Sequence, residues 1–156
     1  GQICEIPYFQ DIPFKIELNR VGHIIMSPAK NIHSVLQWRI QRTLYQLLGN
    51  KGEIIPECSV QTADNVKVAD VAWISEERFR KVRHEIAYSV APEICIEVMS
   101  DSNTQREMKK KISLYLKAGA SEVWICSENG KMSFYDQTGK LKQSLLIPKF
   151  PGRVEI

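Results

Sequence analysis
The sequence predicts an α/β domain: a mixed β-sheet flanked by helices, with an N-terminal hairpin and a C-terminal strand meander. Three observations predict it. The stretches KVADVAWIS and EICIEVM alternate in apolar character with a strand's period of two. Residues 31–48 and 104–118 instead carry apolar side chains at helical spacing. The second of these helices lies between two apolar strands, EICIEVM and SEVWICS. That is the order of a βαβ crossover, whose strands run parallel.

FKIELNRVGHIIMSP reads as a hairpin, two short apolar runs around Asn19-Arg20-Val21-Gly22, closed by Pro28. The first helix follows, with Ile32, Val35, Leu36, Ile40, Leu44, Leu47 and Leu48 on one side. Asn31 is its expected N-cap, and Gly49 and Gly52 end it. GEIIPECSVQT and KVADVAWIS are two strands joined at Asp64-Asn65. A basic, polar loop is expected over 76–92, then the EICIEVM strand and the helix closed by Gly119. SEVWICS, KMSFYD and LKQSLLI complete the meander, turning at Asn129-Gly130 and Thr138-Gly139.

The chain has 156 residues and no repeat or linker, so a single domain spanning 1–156 is expected. A net charge of +3 is too small to announce a nucleic-acid binder by itself. No run of 18 apolar residues occurs, so no helical membrane span is expected. No Gly-rich phosphate loop supports a small-molecule-binding α/β domain, which ranks last among the readings. The cysteines Cys4, Cys58, Cys95 and Cys126 are scattered without a CxxC pair. They are expected as free thiols of a cytoplasmic protein, and not as a zinc site or disulfide framework.

Glu97 raises the question of function. It stands between Cys95 and Met99 on one face of an apolar strand, where an ionised carboxylate is costly unless paired. Asp70 has the same anomaly, sharing a face with Val68, Ala72 and Ile74. Either each acid is separately solvated or bridged to an arginine, or the two share a cation. A divalent ion is the usual solution for paired carboxylates beside phosphate. The second helix adds Lys111. With Met108 at zero and about 100° per residue, Ile112 falls near 40°, Tyr115 near −20° and Lys111 near −60°, but Lys110 near −160°. Lys111 therefore lies inside the apolar arc, either snorkelling to water or completing a pocket with the two acids.

An Asp and a Glu on neighbouring strands with a nearby Lys form the constellation of PD-(D/E)xK phosphodiesterases. The chain resembles one branch of that superfamily, the Uma-type family of restriction-endonuclease domains. FKIELNRVGHIIMSP is similar to its opening hairpin, and His33 falls where the family has a histidine at the first helix. KVADVAWIS is similar to its "PDV" strand and APEICIEVMSDSN to its "AP.LVVEVLSPS" strand. REMKKKISLYLKAGASEVWI is similar to its "RD…EK…LY…AGV.EYWI" segment. The resemblance spans residues 14–152 and implies a restriction-endonuclease-like fold. It implies Asp70 and Glu97 as catalytic ligands of Mg2+ (or Mn2+), with Lys111 as the helical lysine. Ala69 replaces the family's proline. Met99 stands where the superfamily's strand lysine would be, so Lys111 is the candidate to replace it.

Hydrolysis of a DNA phosphodiester needs an activated water and charge stabilisation at phosphorus, which metal-bound carboxylates and a lysine supply. His33 is either a capping or core histidine or a phosphate-positioning group, and Glu17 is either structural or part of the site. Arg78, Arg80, Lys81 and Arg83 are candidate phosphate contacts, which would be salt-sensitive, although Glu76, Glu77 and Glu85 dilute the patch. The expected partner is DNA, with a homodimer if both strands are cut. The alternative is a catalytically silent domain of the same fold that binds nucleic acid or a protein. Trp38, Trp73 and Trp124 are assigned to the core or a subunit interface.

Overall fold
The computed structural model describes residues 14–28 and 30–156. β1 (Phe14–Leu18) and β2 (Ile24–Pro28) pair antiparallel as a hairpin, with Leu18 opposite Ile24. The Asn19 side chain closes the turn by accepting the backbone N–H groups of Val21 and His23 at 3.1 and 2.9 Å. Gly22 takes a positive φ of 83° there, a conformation that costs a glycine little.

Helix α1 (Asn31–Leu48) buries Leu36, Ile40 and Leu44, one turn apart on a single face. Its stripe is narrower than the spacing predicts, because Val35 and Leu47 are exposed. Asn31 is not the N-cap. The Lys30 carbonyl already accepts the N–H of His33 at 3.0 Å, so the chain turns helical one residue earlier and Asn31 becomes the first helical residue.

β3 (Glu53–Thr62) and β4 (Asn65–Ile74) form a long antiparallel pair whose turn is residues 63–64. The expected loop after β4 begins instead as a short helix, α2 (Glu76–Val82). The Ser75 hydroxyl accepts the Arg78 N–H at 3.2 Å; Glu76 and Glu77 stand in its first turn, Arg80 and Lys81 in its last. Only Val82 is buried, which is why no apolar periodicity betrays it. β5 (Ile94–Val98) pairs antiparallel with β4, α3 (Gln105–Lys117) crosses over, and β6 (Glu122–Cys126) returns parallel to β5. The Thr104 hydroxyl caps α3 by accepting the Glu107 N–H at 3.1 Å.

β7 (Met132–Asp136) and β8 (Gly139–Leu141) complete the meander, giving the sheet order β3-β4-β5-β6-β7-β8. The predicted strand LKQSLLI is cut short at Leu141. The buried carboxylate of Glu122 captures the Ser144 hydroxyl at 2.7 Å and the Leu145 and Leu146 N–H groups at 2.9 Å each. These donors are therefore satisfied without a sheet ladder.

Two apolar clusters form around this sheet. One joins Leu36, Ile40 and Leu44 to Val71, Ile96, Trp124, Phe134 and Phe150; the other joins Met108 and Tyr115 of α3 to Ala72, Cys95 and Val123. Trp124 is fully buried, 5.0 Å from Phe134 and 4.6 Å from Phe150 between ring centroids. Trp73 packs beside the same cluster, whereas Trp38 is 59% exposed on α1 and is no core residue. Cys58, Cys95 and Cys126 are buried and free; Cys4 lies outside the described residues. Among the described residues no helix is long and apolar enough to cross a membrane.

Candidate functional site
The register of β4 against β5 brings the two anomalous acids together. Val71 pairs with Ile96, so the next antiparallel position sets Asp70 opposite Glu97, with both side chains on one face. There the ladder stops: the Val98 N–H donates to Asp70 Oδ2 at 2.7 Å in place of a backbone carbonyl. Each acid is only 1% exposed.

Three further elements deliver charged groups to this pair. Strand alternation puts Lys15 and Glu17 of β1 on one face. The Lys15 ammonium lies 2.7 and 2.9 Å from the two Glu97 carboxylate oxygens and 3.1 Å from Asp70 Oδ1. Glu17 accepts the Val68 N–H at 2.8 Å. On α3, Lys111 stands between the buried Met108 and Tyr115. It donates to Glu17 at 3.0 and 3.1 Å and to both Glu97 oxygens at 3.3 Å. The Tyr115 hydroxyl donates to Glu97 Oε1 at 3.4 Å. From the first turn of α1, His33 Nε2 lies 3.3 Å from Asp70 Oδ2. One turn later Gln37 donates both to the Asp70 carbonyl at 2.8 Å and to Glu57 Oε1 at 2.9 Å.

Charge balance explains the titration of the cluster. Three buried acids, Glu17, Asp70 and Glu97, face two ammonium groups, so with all three ionised the cluster is one positive charge short, a deficit that a proton on His33 or on Glu97 removes. The hydrogen bond to Asp70 raises the His33 pKa against the opposing effect of burial. Burial opposes ionisation of Asp70, but Lys15, His33 and the Val98 N–H together hold its carboxyl well below the usual range. Burial pushes Glu97 up to about 7, with Lys111 and Lys15 opposing and the Asp70 charge adding to the rise. For Lys15 the desolvation that would lower its pKa is outweighed by Asp70, Glu97 and Glu17, and it ends well above the ordinary value.

The donors suit a divalent cation. Asp70 Oδ1 is buried and, among the described residues, accepts no hydrogen bond; the ammonium 3.1 Å away meets it as a charge. Glu97 presents both oxygens to the same region. Hard carboxylate oxygens around a cation-filled gap are the donor type of magnesium, which takes one or two carboxylates and completes its shell with water and phosphate. Among the described residues no group of three or more His, Cys, Asp or Glu forms a ready-made metal cage.

The structure thus gathers Asp70, Glu97, Lys111 and His33, brings in Glu17, which the sequence leaves either structural or part of the site, and adds Lys15 and Tyr115. Lys15 escaped the sequence reading, although its two-residue offset from Glu17 in β1 was the available signal. The basic residues of α2 are not brought to the cluster. Arg78 turns inward, donating to the Ala91 and Gly119 carbonyls at 2.8 Å each and pairing with Glu93 at 3.6 Å. Arg80 pairs with Glu76 at 3.3 Å, and Lys81 and Arg83 are exposed beyond the end of β4.

Comparison with known proteins agrees with this architecture. The family model Uma2, described as "Putative restriction endonuclease", matches residues 6–149. A crystal structure titled as a putative nuclease belonging to DUF820, from Anabaena variabilis ATCC 29413, superposes with a TM-score of 0.64 at 20% identity. The match covers 77% of this chain and 72% of that one. At that identity the likeness shows the fold. No curated protein matches the chain. With a restriction-endonuclease-like sheet and a family match over nearly its whole length, the chain belongs to the Uma2 family of restriction-endonuclease domains.

Proposed function
We propose that the protein is a metal-dependent nuclease that hydrolyses DNA phosphodiester bonds at the Asp70–Glu97 cluster. One observation carries this reading: two buried carboxylates, directly opposite on adjacent strands, converge on a single cationic position. A magnesium or manganese ion bound by Asp70 and Glu97 would supply Lewis acidity, easing deprotonation of a water and offsetting phosphate charge.

The chain's own residues do the rest. Lys15, His33 and the Val98 N–H keep Asp70 ionised and therefore able to serve as an anionic ligand. Tyr115 and Lys111 fix the orientation of Glu97 through its oxygens. Lys111 also places a positive charge beside the carboxylates, where it can stabilise charge developing on the phosphate. His33 contributes a donor at the same edge. Its protonated form repels a bound cation and attracts a phosphate, which fits a role in positioning substrate. DNA is the proposed partner, and cutting both strands of a duplex would call for two copies of the domain.

A second reading, a catalytically silent domain binding nucleic acid or a protein, has its own support. Met99 replaces the superfamily's strand lysine, and the Lys15 ammonium already occupies the position between the two acids. Supercoiled plasmid DNA with Mg2+ or Mn2+ separates the two. The nuclease reading expects nicking that Asp70→Asn and Glu97→Gln each reduce by at least about 100-fold, a loss on the scale of one transition-state charge contact. A folded protein that cuts no substrate with any metal would leave the silent reading standing.

A further inference from the structure
The Lys15 ammonium sits 2.7 and 2.9 Å from the oxygens of Glu97 and 3.1 Å from Asp70 Oδ1. A divalent ion bound by the same oxygens would lie roughly 2.0–2.6 Å from them, so ammonium and ion claim one volume. We propose that Lys15 is an internal occupant of the divalent-ion position, displaced when an ion binds, so that metal binding competes with the seating of β1. The inference rests on the metal-centre reading of Asp70 and Glu97.

Three features support displacement over coexistence. Two cations within bonding distance of the same oxygens repel strongly in a buried site. Lys111 lies farther from the same Glu97 oxygens, at 3.3 Å, and is anchored on Glu17 at 3.0 Å, so it can remain when Lys15 leaves. Lys15 also stands on a strand outside the main sheet. β1 and β2 form a separate two-stranded sheet, and hairpins of that size are marginal by themselves. The ties of the hairpin to the main sheet include the Val68 N–H to Glu17 and the Arg20 N–H to the Asp64 carboxylate, 2.8 Å each, and the buried Ile16. Moving only the lysine side chain vacates the position while Glu17 keeps its bond to Val68 of β4.

The test is Mn2+ binding to the whole chain by calorimetry and by the rise in Tm, for the unaltered protein, Lys15→Met, Lys15→Gln and a control at the exposed Lys140, Lys140→Met. Removing the competitor should tighten Mn2+ binding at least about tenfold and enlarge the Mn2+-induced rise in Tm, with the control unchanged. If a Lys15 variant fails to fold without metal, Mn2+ should restore its folding. Affinity that is equal or weaker in both variants, or failure of Mn2+ to restore folding, overturns the proposal. Equal binding would leave the metal centre intact and remove only the competition. Absence of binding to every form would refute the metal-centre reading, and this proposal with it.

Discussion
Lys111→Met removes one ammonium from the cluster and keeps most of its apolar stem. Its pairs with Glu17 at 3.0 Å and Glu97 at 3.3 Å are each worth about 5 kcal/mol of gross Coulomb energy at an effective dielectric of 20. Much of this is offset by the several kcal/mol spent desolvating each ion. The Lys15 ammonium also stays close enough to compensate both acids in part. Losing one partner of a buried pair typically costs about 3–5 kcal/mol; with that compensation, a loss of about 2–3 kcal/mol is expected. In urea at pH 7 without metal this lowers the midpoint by about 1–1.5 M, for a slope of about 2 kcal/mol/M. Glu17→Gln in the same background should restore part of the loss, giving a coupling energy of about 1–2 kcal/mol in a double-mutant cycle. A single-mutant cost below about 0.5 kcal/mol, the level of an ordinary surface change, with no coupling to Glu17, would refute the buried pair and leave Lys111 a snorkelling side chain.

Asp64 supplies a pH test. The hydrogen bond from Lys110, helped by Lys67 and the Arg20 N–H and opposed by burial, lowers its pKa from 3.8 to about 2. Its stabilisation is therefore present above pH 3.8 and lost as pH falls towards 2. Asp64→Asn should lower Tm by about 2–4 °C at neutral pH, a discounted value of about 1 kcal/mol because Lys110 is exposed. The gap between the two melting curves should close near pH 2. For Arg78, whose guanidinium ties the Ala91 and Gly119 carbonyls together, Arg78→Ala should cost about 2–3 kcal/mol in denaturant unfolding. The exposed Lys81→Ala should stay within about 0.5 kcal/mol; equal costs would show that Arg78 has no structural role.

What the sequence discloses about the site depends on whether a residue breaks its own element's pattern. Asp70, Glu97 and Lys111 each interrupt an apolar face within one strand or helix, so neighbours in sequence expose them. Lys15 and Glu17 lie on a five-residue strand whose polar face looks like any solvent face. Their burial is decided by β4 and α3, far away in the chain. The same division governs the fold. The βαβ crossover and the β3–β4 hairpin follow from local periodicity and turn residues. The early end of β8 depends instead on Glu122 claiming the Leu145 and Leu146 N–H groups, a contact 23 and 24 residues long that no window of sequence contains. α2 falls between these cases: its cap and charge placement are local, but one buried residue in seven leaves no stripe to read.

The hairpin's separateness also sets an order of assembly. Within the cluster, the Lys111–Glu97 contact closes a span of 14 residues and the Asp70–Val98 contact one of 28. The Glu17–Val68 and Lys15–Glu97 contacts close spans of 51 and 82. Closing the longest span costs about 1.5 kcal/mol more chain entropy than closing the shortest, from the logarithmic growth of loop cost. The crossover β5–α3–β6 can thus form with Lys111 already beside Glu97, whereas the Lys15 contact carries the largest loop cost of the four. In a chain whose N-terminal strand had not yet docked, the acid pair would be only partly neutralised, and a dissolved cation could reach it before the chain's own lysine did.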